Sequence, residues 1–372
     1  MRVPKFDKEL TALNAICPYF TMFPLQFPLA VIRRSARARE LVFDPFCGRG
    51  TTNFAARLLG IPTFGIDSSP IAVAATSAKL VSSITPAEIV SEAKSILKHR
   101  AHVDHPRGAF WRMAYRQLVL TDLCKLRHEL SRNCRSDVRK ALRGIVLSAL
   151  HGPLKNDGSS SYISNQSPRT FAPKPRYAVR FWREKGFRAP DISVLQVISE
   201  RAEWYYGRLP SKVRHRVRCG DARSRSFVRM VCGDERPTLI LTSPAYYGLR
   251  TYVADQWLRN WFLGGPAHVD YSHGIQLTHR SPELFTADLK KVWQNVADVS
   301  DDRARLVFRF GAINDRLLDP RDVIYHSLQD TPWRLSTIVD AGTARLGKRQ
   351  SDTFVRRPEA PIVEFDAWAC RI

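Results

Sequence analysis

The sequence predicts an α/β chain in which a parallel sheet is split by a largely helical, basic insertion. Three observations carry that expectation. Strand-length apolar runs alternate with helical segments near both ends of the 372-residue chain, as in a parallel sheet with helical crossovers. Between them, residues 86–150 place apolar side chains at three- and four-residue spacing, in stretches such as FWRMAYRQLVLTDLCKLRHEL; that is the helical period. Residues 151–229 then hold 17 Lys plus Arg against 6 Asp plus Glu, nearly half of the net charge of +23 in about a fifth of the chain.

Residues 1–40 form a mixed segment ending in FPLQFPLAVIRRSARARE. A strand is expected at 41–45, a helix at 51–60 and a second strand at 63–67. SSPIAVAATSAKL reads as an alanine-rich helix with Ser68 or Ser69 at its N-cap. After the helical stretch, residues 151–190 read as a long loop rich in Gly, Ser and Pro, with aromatics between arginines. VRCG (217–220) and TLILT (238–242) bring back the strand pattern, and YVADQWLRNWFLGG reads as a helix closed by Gly264. A further helix at 282–299 and a buried strand, RLVFRFG (305–311), follow. WRLSTIV and IVEFDAWA are expected as an antiparallel pair at the sheet edge. One α/β domain is therefore expected in two parts, 1–82 and 213–372, around an insertion at 83–212.

Hydrophobic content of 44% supports a core. No apolar run reaches the roughly 18 residues of a membrane helix, and MRVPKFDKEL lacks the apolar segment of a secretory signal, so a cytoplasmic location is expected. None of the seven cysteines forms a C-x-x-C pair, so no metal site is expected. The charge surplus implies a polyanionic partner, nucleic acid being the commonest.

Two stretches carry chemistry. In FDPFCGRGTT, Asp44 ends the first strand, where its carboxylate can accept hydrogen bonds from a cationic or hydroxylated ligand. Gly48 and Gly50 let backbone approach a ligand, and Thr51 or Thr52 can cap the next helix. Neither the G-K-[ST] ending of a phosphate loop nor a third glycine in G-x-G-x-x-G register is present. Asp67 ends the second strand at the carboxyl edge of the sheet, where ligands bind and ribose hydroxyls are gripped. In TLILTSPAYYGLRTY, Pro244 fixes the turn after Ser243 and leaves carbonyls free, while Tyr246 and Tyr247 offer flat faces to a base.

FDPFCGRGTT resembles the AdoMet-binding motif of the DNA methyltransferases that modify exocyclic amines, and TSPAYY resembles their catalytic motif. FPLQFPLAVI is similar to the segment packing over the methionine end of AdoMet, GIDSSP to the acidic ribose motif, and CGDARS to the segment at the adenine ring. The resemblance covers roughly 18–82 and 213–372. It implies a Rossmann-like class I methyltransferase sheet, with AdoMet as cofactor and DNA as partner. Phe46, Gly48 and Gly50 would line the AdoMet pocket. Asp67 would hold the ribose hydroxyls and Asp221 the adenine amine. Ser243 and the Pro244 carbonyl would accept from the target amine, and Tyr246 would stack on a base flipped from the duplex. Ala245 departs from the pattern, which has a second proline there.

With the AdoMet motif preceding the catalytic motif, the resemblance places target recognition in the insertion. The S-P-x-Y form leans toward cytosine N4, with adenine N6 next and an RNA substrate or a catalytically weak nucleic-acid-binding relative after it. No Pro-Cys dipeptide exists, which excludes the cysteine route to cytosine C5. Arg169, Lys174, Arg176, Arg180 and Arg183, interleaved with Tyr162, Phe171, Tyr177, Phe181 and Trp182, are the candidate nucleic-acid surface, with Tyr247 and Arg250 beside the catalytic motif.

Overall fold

Side chains alternate between the two faces of a strand, and here the alternation sorts two cores. A computed structural model of the protein describes residues 6–17, 24–35, 40–99, 102–152, 161–164, 174–248, 256–271, 276–311, 318–343 and 363–372. Its strands are β1 (Val42–Asp44), β2 (Thr63–Asp67), β3 (His215–Cys219), β4 (Leu239–Thr242), β5 (Arg305–Gly311), β6 (Trp333–Thr343) and β7 (Val363–Arg371). They form one seven-stranded sheet in the order β3-β2-β1-β4-β5-β7-β6. The first five are parallel, and β7 runs antiparallel to both β5 and β6. This is the expected Rossmann-like class I sheet, with the expected antiparallel pair at its edge.

Val42, Leu239, Leu241 and Val307 face a core shared with the helices Gln26–Ser35, Thr51–Leu58 and Pro70–Leu80. Their neighbours Phe43, Ile240, Leu306 and Phe308 face the other core, built with Arg225–Cys232, Pro282–Val299 and Pro320–Leu328. The first and third of these last helices have no apolar period long enough to mark them in the sequence. Each is short, and each is started by a side-chain cap, Ser224 to the Phe227 amide at 3.4 Å and Asp319 to the Arg321 amide at 2.8 Å.

The insertion is part of the first core rather than an appendage to it. Its helices are Pro86–Lys98, Ala109–Ala114, Gln117–Arg132, Asp137–Ala149, Pro175–Glu184 and Val194–Tyr206. Gly144 lies so close to the Pro70–Leu80 helix that a Cβ there would meet Ala78 Cβ at 2.4 Å. The Arg57 guanidinium, 1% exposed, donates to the carbonyls of Lys79 at 2.6 Å, Pro210 at 2.8 Å and Ser211 at 3.2 Å, stitching the start of the sheet domain to the segment that leaves the insertion.

One expectation is corrected: Pro175–Glu184, inside the anticipated loop, is a helix. Pro175 sits in its first turn, where the missing N–H costs nothing, and Ala178 and Trp182 at i, i+4 are fully buried. The helix expected at 252–265 begins in the described residues as Trp257–Phe262, and Gly264 follows it with φ +104°; residues 249–255 lie outside them. No helix among the described residues is long and apolar enough to cross a membrane.

Candidate cofactor and acceptor site

Strand order brings the two motifs together. β1 and β4 are hydrogen-bonded neighbours, so the loops leaving them open side by side at the carboxyl edge of the sheet. There the Thr242 hydroxyl donates to Asp44 Oδ1 at 2.6 Å across 198 residues of sequence. The Phe46 amide donates to the same oxygen at 3.1 Å. Asp44 is 2% exposed. Its expected role as an acceptor for ligand is corrected: the carboxylate pins the glycine loop to the strand carrying TSPAYY.

Burial pushes the Asp44 carboxyl up to about 7, against the pull of the Thr242 hydroxyl. A carboxyl raised on folding favours the folded state most when protonated, below the unfolded value of about 4. That contribution is lost as pH rises from about 4 through about 7. Asp44→Asn keeps an acceptor and cannot ionise. Its Tm relative to wild type is therefore expected to rise between pH 5 and 8; a difference that stays constant with pH would show that Asp44 does not titrate there.

Asp67 holds the loop from the other side. Its Oδ2 accepts from the Gly48 amide at 2.8 Å and its Oδ1 from the Ser69 amide at 2.8 Å. Burial raises this carboxyl too, while both amides lower it. The Ser69 hydroxyl caps the next helix by accepting from the Ala72 amide at 3.4 Å, which settles the choice between Ser68 and Ser69. Thr76, a residue the sequence reading passed over, lies beneath the loop and donates to the Gly48 carbonyl at 2.9 Å.

The two glycines have different tasks. Gly48 has φ +50°, and a Cβ there would find only the Phe46 carbonyl, at 3.9 Å; the space beside it is open. Gly50 has φ +76°, and a Cβ there would stand 2.6 Å from Thr76 Oγ1 and 2.9 Å from Thr76 Cβ. Gly50 thus serves packing against the helix below, and it also takes the N-cap position with no side-chain cap. This corrects the expected cap: Thr51 and Thr52 are the first two helical residues, both buried. Phe46 is half-buried, its ring edge-on to Trp293 at 6.3 Å.

The end of β3 closes on β2 through the Gly220 amide, which donates to the Asp67 carbonyl at 2.9 Å. Asp221 therefore follows directly on the end of β3, next to the strand end that carries Asp67. Its carboxylate is engaged by Arg223, whose Nε and Nη2 approach it at 3.0 and 2.9 Å. Arg223 Nη1 also reaches Asp288 at 2.6 Å. Neither partner carried a sequence signal.

Ser243 is half-buried, Pro244 buried and Ala245 exposed. Tyr246 is 6% exposed, edge-on to Phe310 at 5.8 Å, and its hydroxyl donates to Glu364 Oε1 at 2.6 Å. Tyr247, also 6% exposed, packs edge-on to Phe285 at 5.5 Å and near His279 at 6.1 Å. The structure thus puts both tyrosines in the same core, and Tyr247 lies on no exposed surface.

Lys174, Arg176, Arg180 and Arg183 come together on and beside the Pro175–Glu184 helix. Arg176, Tyr177, Arg180 and Arg183 are exposed opposite the buried Ala178 and Trp182. Tyr177 and Phe181 stack at 6.3 Å, Arg180 lies over Tyr177 at 5.8 Å, and Lys174 lies over the exposed Tyr271 at 5.5 Å. Trp182 is a core residue, packed on Phe110 at 5.3 Å. Tyr162 lies under Arg201 at 4.5 Å. Arg169, Phe171 and Arg250 lie outside the described residues.

The arrangement fits a nucleoside-bearing cofactor. Open space beside Gly48, carboxylates on adjoining strand ends and an aromatic ring share one sheet edge, and nothing in the glycine loop has the form of a phosphate cradle. No group of His, Cys, Asp and Glu that could hold a metal occurs among the described residues.

No curated protein matches the chain significantly. Among solved structures, it is similar to the rRNA methyltransferase aviRa from Streptomyces viridochromogenes (12% identity, 99% of this chain and 94% of that one, TM-score 0.38). It is also similar to magnesium protoporphyrin IX methyltransferase from Synechocystis PCC 6803 with bound SAM (10%, 94% and 78%, TM-score 0.35). A third is a putative rRNA-methylase from Clostridium thermocellum (10%, 94% and 97%, TM-score 0.36). The resemblance drawn from the motifs is met at the N-terminal part of the fold, where residues 6–78 match the DNA methylase family.

Proposed function

We propose that the protein transfers a methyl group from AdoMet to an exocyclic amine of a DNA base, cytosine N4 in preference to adenine N6, with the base turned out of the duplex. The observation that supports it most is the Asp44–Thr242 hydrogen bond, which ties FDPFCGRGTT and TSPAYY side by side at one sheet edge. AdoMet supplies an electrophilic methyl on a sulfonium. The protein's part is to hold and orient. Asp67 and Gly48 would present the cofactor edge, and Asp221 is assigned to the adenine amine. The Ser243 hydroxyl and Pro244 carbonyl accept the hydrogens of the target amine, which builds electron density on a poor nucleophile. Fixed geometry supplies much of the remaining acceleration. Target recognition is assigned to the insertion at 83–212.

The basic outer face of Pro175–Glu184 is assigned to DNA phosphates. DNA affinity is then expected to fall with salt at a log–log slope of about −0.9 per neutralised phosphate. Reversing Arg176, Arg180 and Arg183 to Glu should flatten the slope by two to three such steps, and leave AdoMet binding unchanged by calorimetry. The activity is tested by following labelled methyl from AdoMet into unmethylated duplex DNA. Incorporation that needs Ser243 supports the reading, and incorporation into RNA alone replaces DNA by RNA.

A further inference from the structure

Tyr246 is buried, and its hydroxyl is held by a strand from the far end of the chain. Its hydroxyl donates to Glu364 Oε1 at 2.6 Å, across 118 residues of sequence. Glu364 stands at the start of β7, paired in register with Gly311 at the end of β5. Its side chain is 14% exposed, with Arg309 Nη1 3.9 Å from Oε2. Arg309 is clamped in turn by Asp366, with Nε to Oδ1 at 2.7 Å and Nη2 to Oδ2 at 2.8 Å. The same guanidinium lies 4.0 Å over the ring of Phe27, on the Gln26–Ser35 helix. A bidentate, largely buried arginine–carboxylate pair is rigid, so the carboxylate that receives the Tyr246 hydroxyl sits on a fixed support. The hydroxyl lies on the χ2 axis, so this bond fixes where the far end of the ring sits, while packing edge-on to Phe310 sets its plane.

We infer that Glu364 is a positioning residue of the acceptor pocket: it anchors the hydroxyl end of Tyr246, against whose ring the target base lies, with Arg309 and Asp366 holding Glu364 in place. The inference rests on the proposed methyl transfer for its consequence, but the hydrogen bond can be read without it. Catalytic contact belongs to Tyr246; Glu364 acts through it.

Two measurements test this. In protein carrying 13C at tyrosine Cζ, Tyr246 is identified by its loss in Tyr246→Phe. A phenol donating to a carboxylate gives up its proton late, so Tyr246 should titrate at higher pH in wild type than in Glu364→Leu. Identical titration would overturn the bond and the inference with it. In the second, single-turnover methyl transfer to unmethylated duplex DNA is followed at saturating AdoMet. Misplacement of about 1 Å costs up to about 100-fold, so Tyr246→Phe and Glu364→Leu should each slow transfer by about 10- to 100-fold. The double variant should be no slower than either alone. Glu364→Gln, which keeps an acceptor, should recover most of the rate, and AdoMet affinity should be unchanged throughout. Additive losses, or a Glu364→Leu rate equal to wild type, would overturn the inference. Wild type that binds AdoMet but methylates neither DNA nor RNA would overturn the proposed function and the positioning role, while the tyrosine titration still judges the bond.

Discussion

Gly50→Ala is expected to lower the stability of the fold by about 2–5 kcal/mol. A non-glycine residue in the left-handed region costs roughly 1–2 kcal/mol. Forcing a methyl into filled space adds about 1–3 kcal/mol. The space is filled: the new Cβ would stand 2.6 Å from Thr76 Oγ1 and 2.7 Å from Thr76 Cγ2, and Thr76 cannot retreat without giving up the Gly48 carbonyl. Gly48→Ala provides the contrast. Its Cβ would meet only the Phe46 carbonyl at 3.9 Å, so stability falls by the backbone cost alone, while the methyl projects into the space assigned to AdoMet. Denaturant unfolding should rank Gly50→Ala as the less stable variant, and calorimetric titration of Gly48→Ala should show the loss of AdoMet affinity. The reverse ranking in stability would mean that Gly50, not Gly48, faces the open cleft.

Arg57→Met is expected to cost about 3 kcal/mol or more. The side chain is almost wholly buried, and burial draws its pKa down to about 10. It therefore stays charged at neutral pH and depends on the three carbonyls that surround it. Methionine fills much of the volume but leaves those carbonyls without a donor, and each buried acceptor left unpaired costs about 1–3 kcal/mol. Because two of the three belong to Pro210 and Ser211, the loss should be felt first where the insertion rejoins β3. Hydrogen exchange should show protection falling around residues 206–215 before it falls in β1 and β4. Uniform loss across the sheet would show that Arg57 does not staple that junction.

The local pattern was sufficient for the strands. VFD, TFGID, LILT and RLVFRFG are short apolar runs buried on both faces, and their length and flanking turn residues, rather than any period, mark them as strands. The two motifs were legible for the same reason, since each sits at a strand end. What the pattern hid are the partners. Thr242 meets Asp44, Glu364 meets Tyr246 and Ser211 meets Arg57 across 198, 118 and 154 residues, and no periodicity records a contact at that range. The sequence therefore presents Asp44 as an acceptor for ligand and Gly50 as a place for ligand to approach, while in the fold each faces the protein. The Pro175–Glu184 helix was hidden by its composition. Prolines and charges dominate the stretch, and Ala178 with Trp182 is the whole of its buried stripe. Nothing in the sequence marks Tyr246 or Tyr247 as buried, and packing against Phe310 and Phe285 places both in the core.

The most direct test of the account is to identify the methylated nucleoside. Purified protein is incubated with AdoMet bearing a deuterated methyl group and, separately, with unmethylated duplex DNA and with RNA. The nucleic acid is digested and its nucleosides are resolved by mass spectrometry. The account predicts deuterated N4-methyldeoxycytidine from the DNA, absent when Ser243 is replaced by Ala. Deuterated N6-methyldeoxyadenosine in its place would change the base and keep the chemistry. Deuterium confined to RNA, or found in no nucleoside while AdoMet binds, would contradict it.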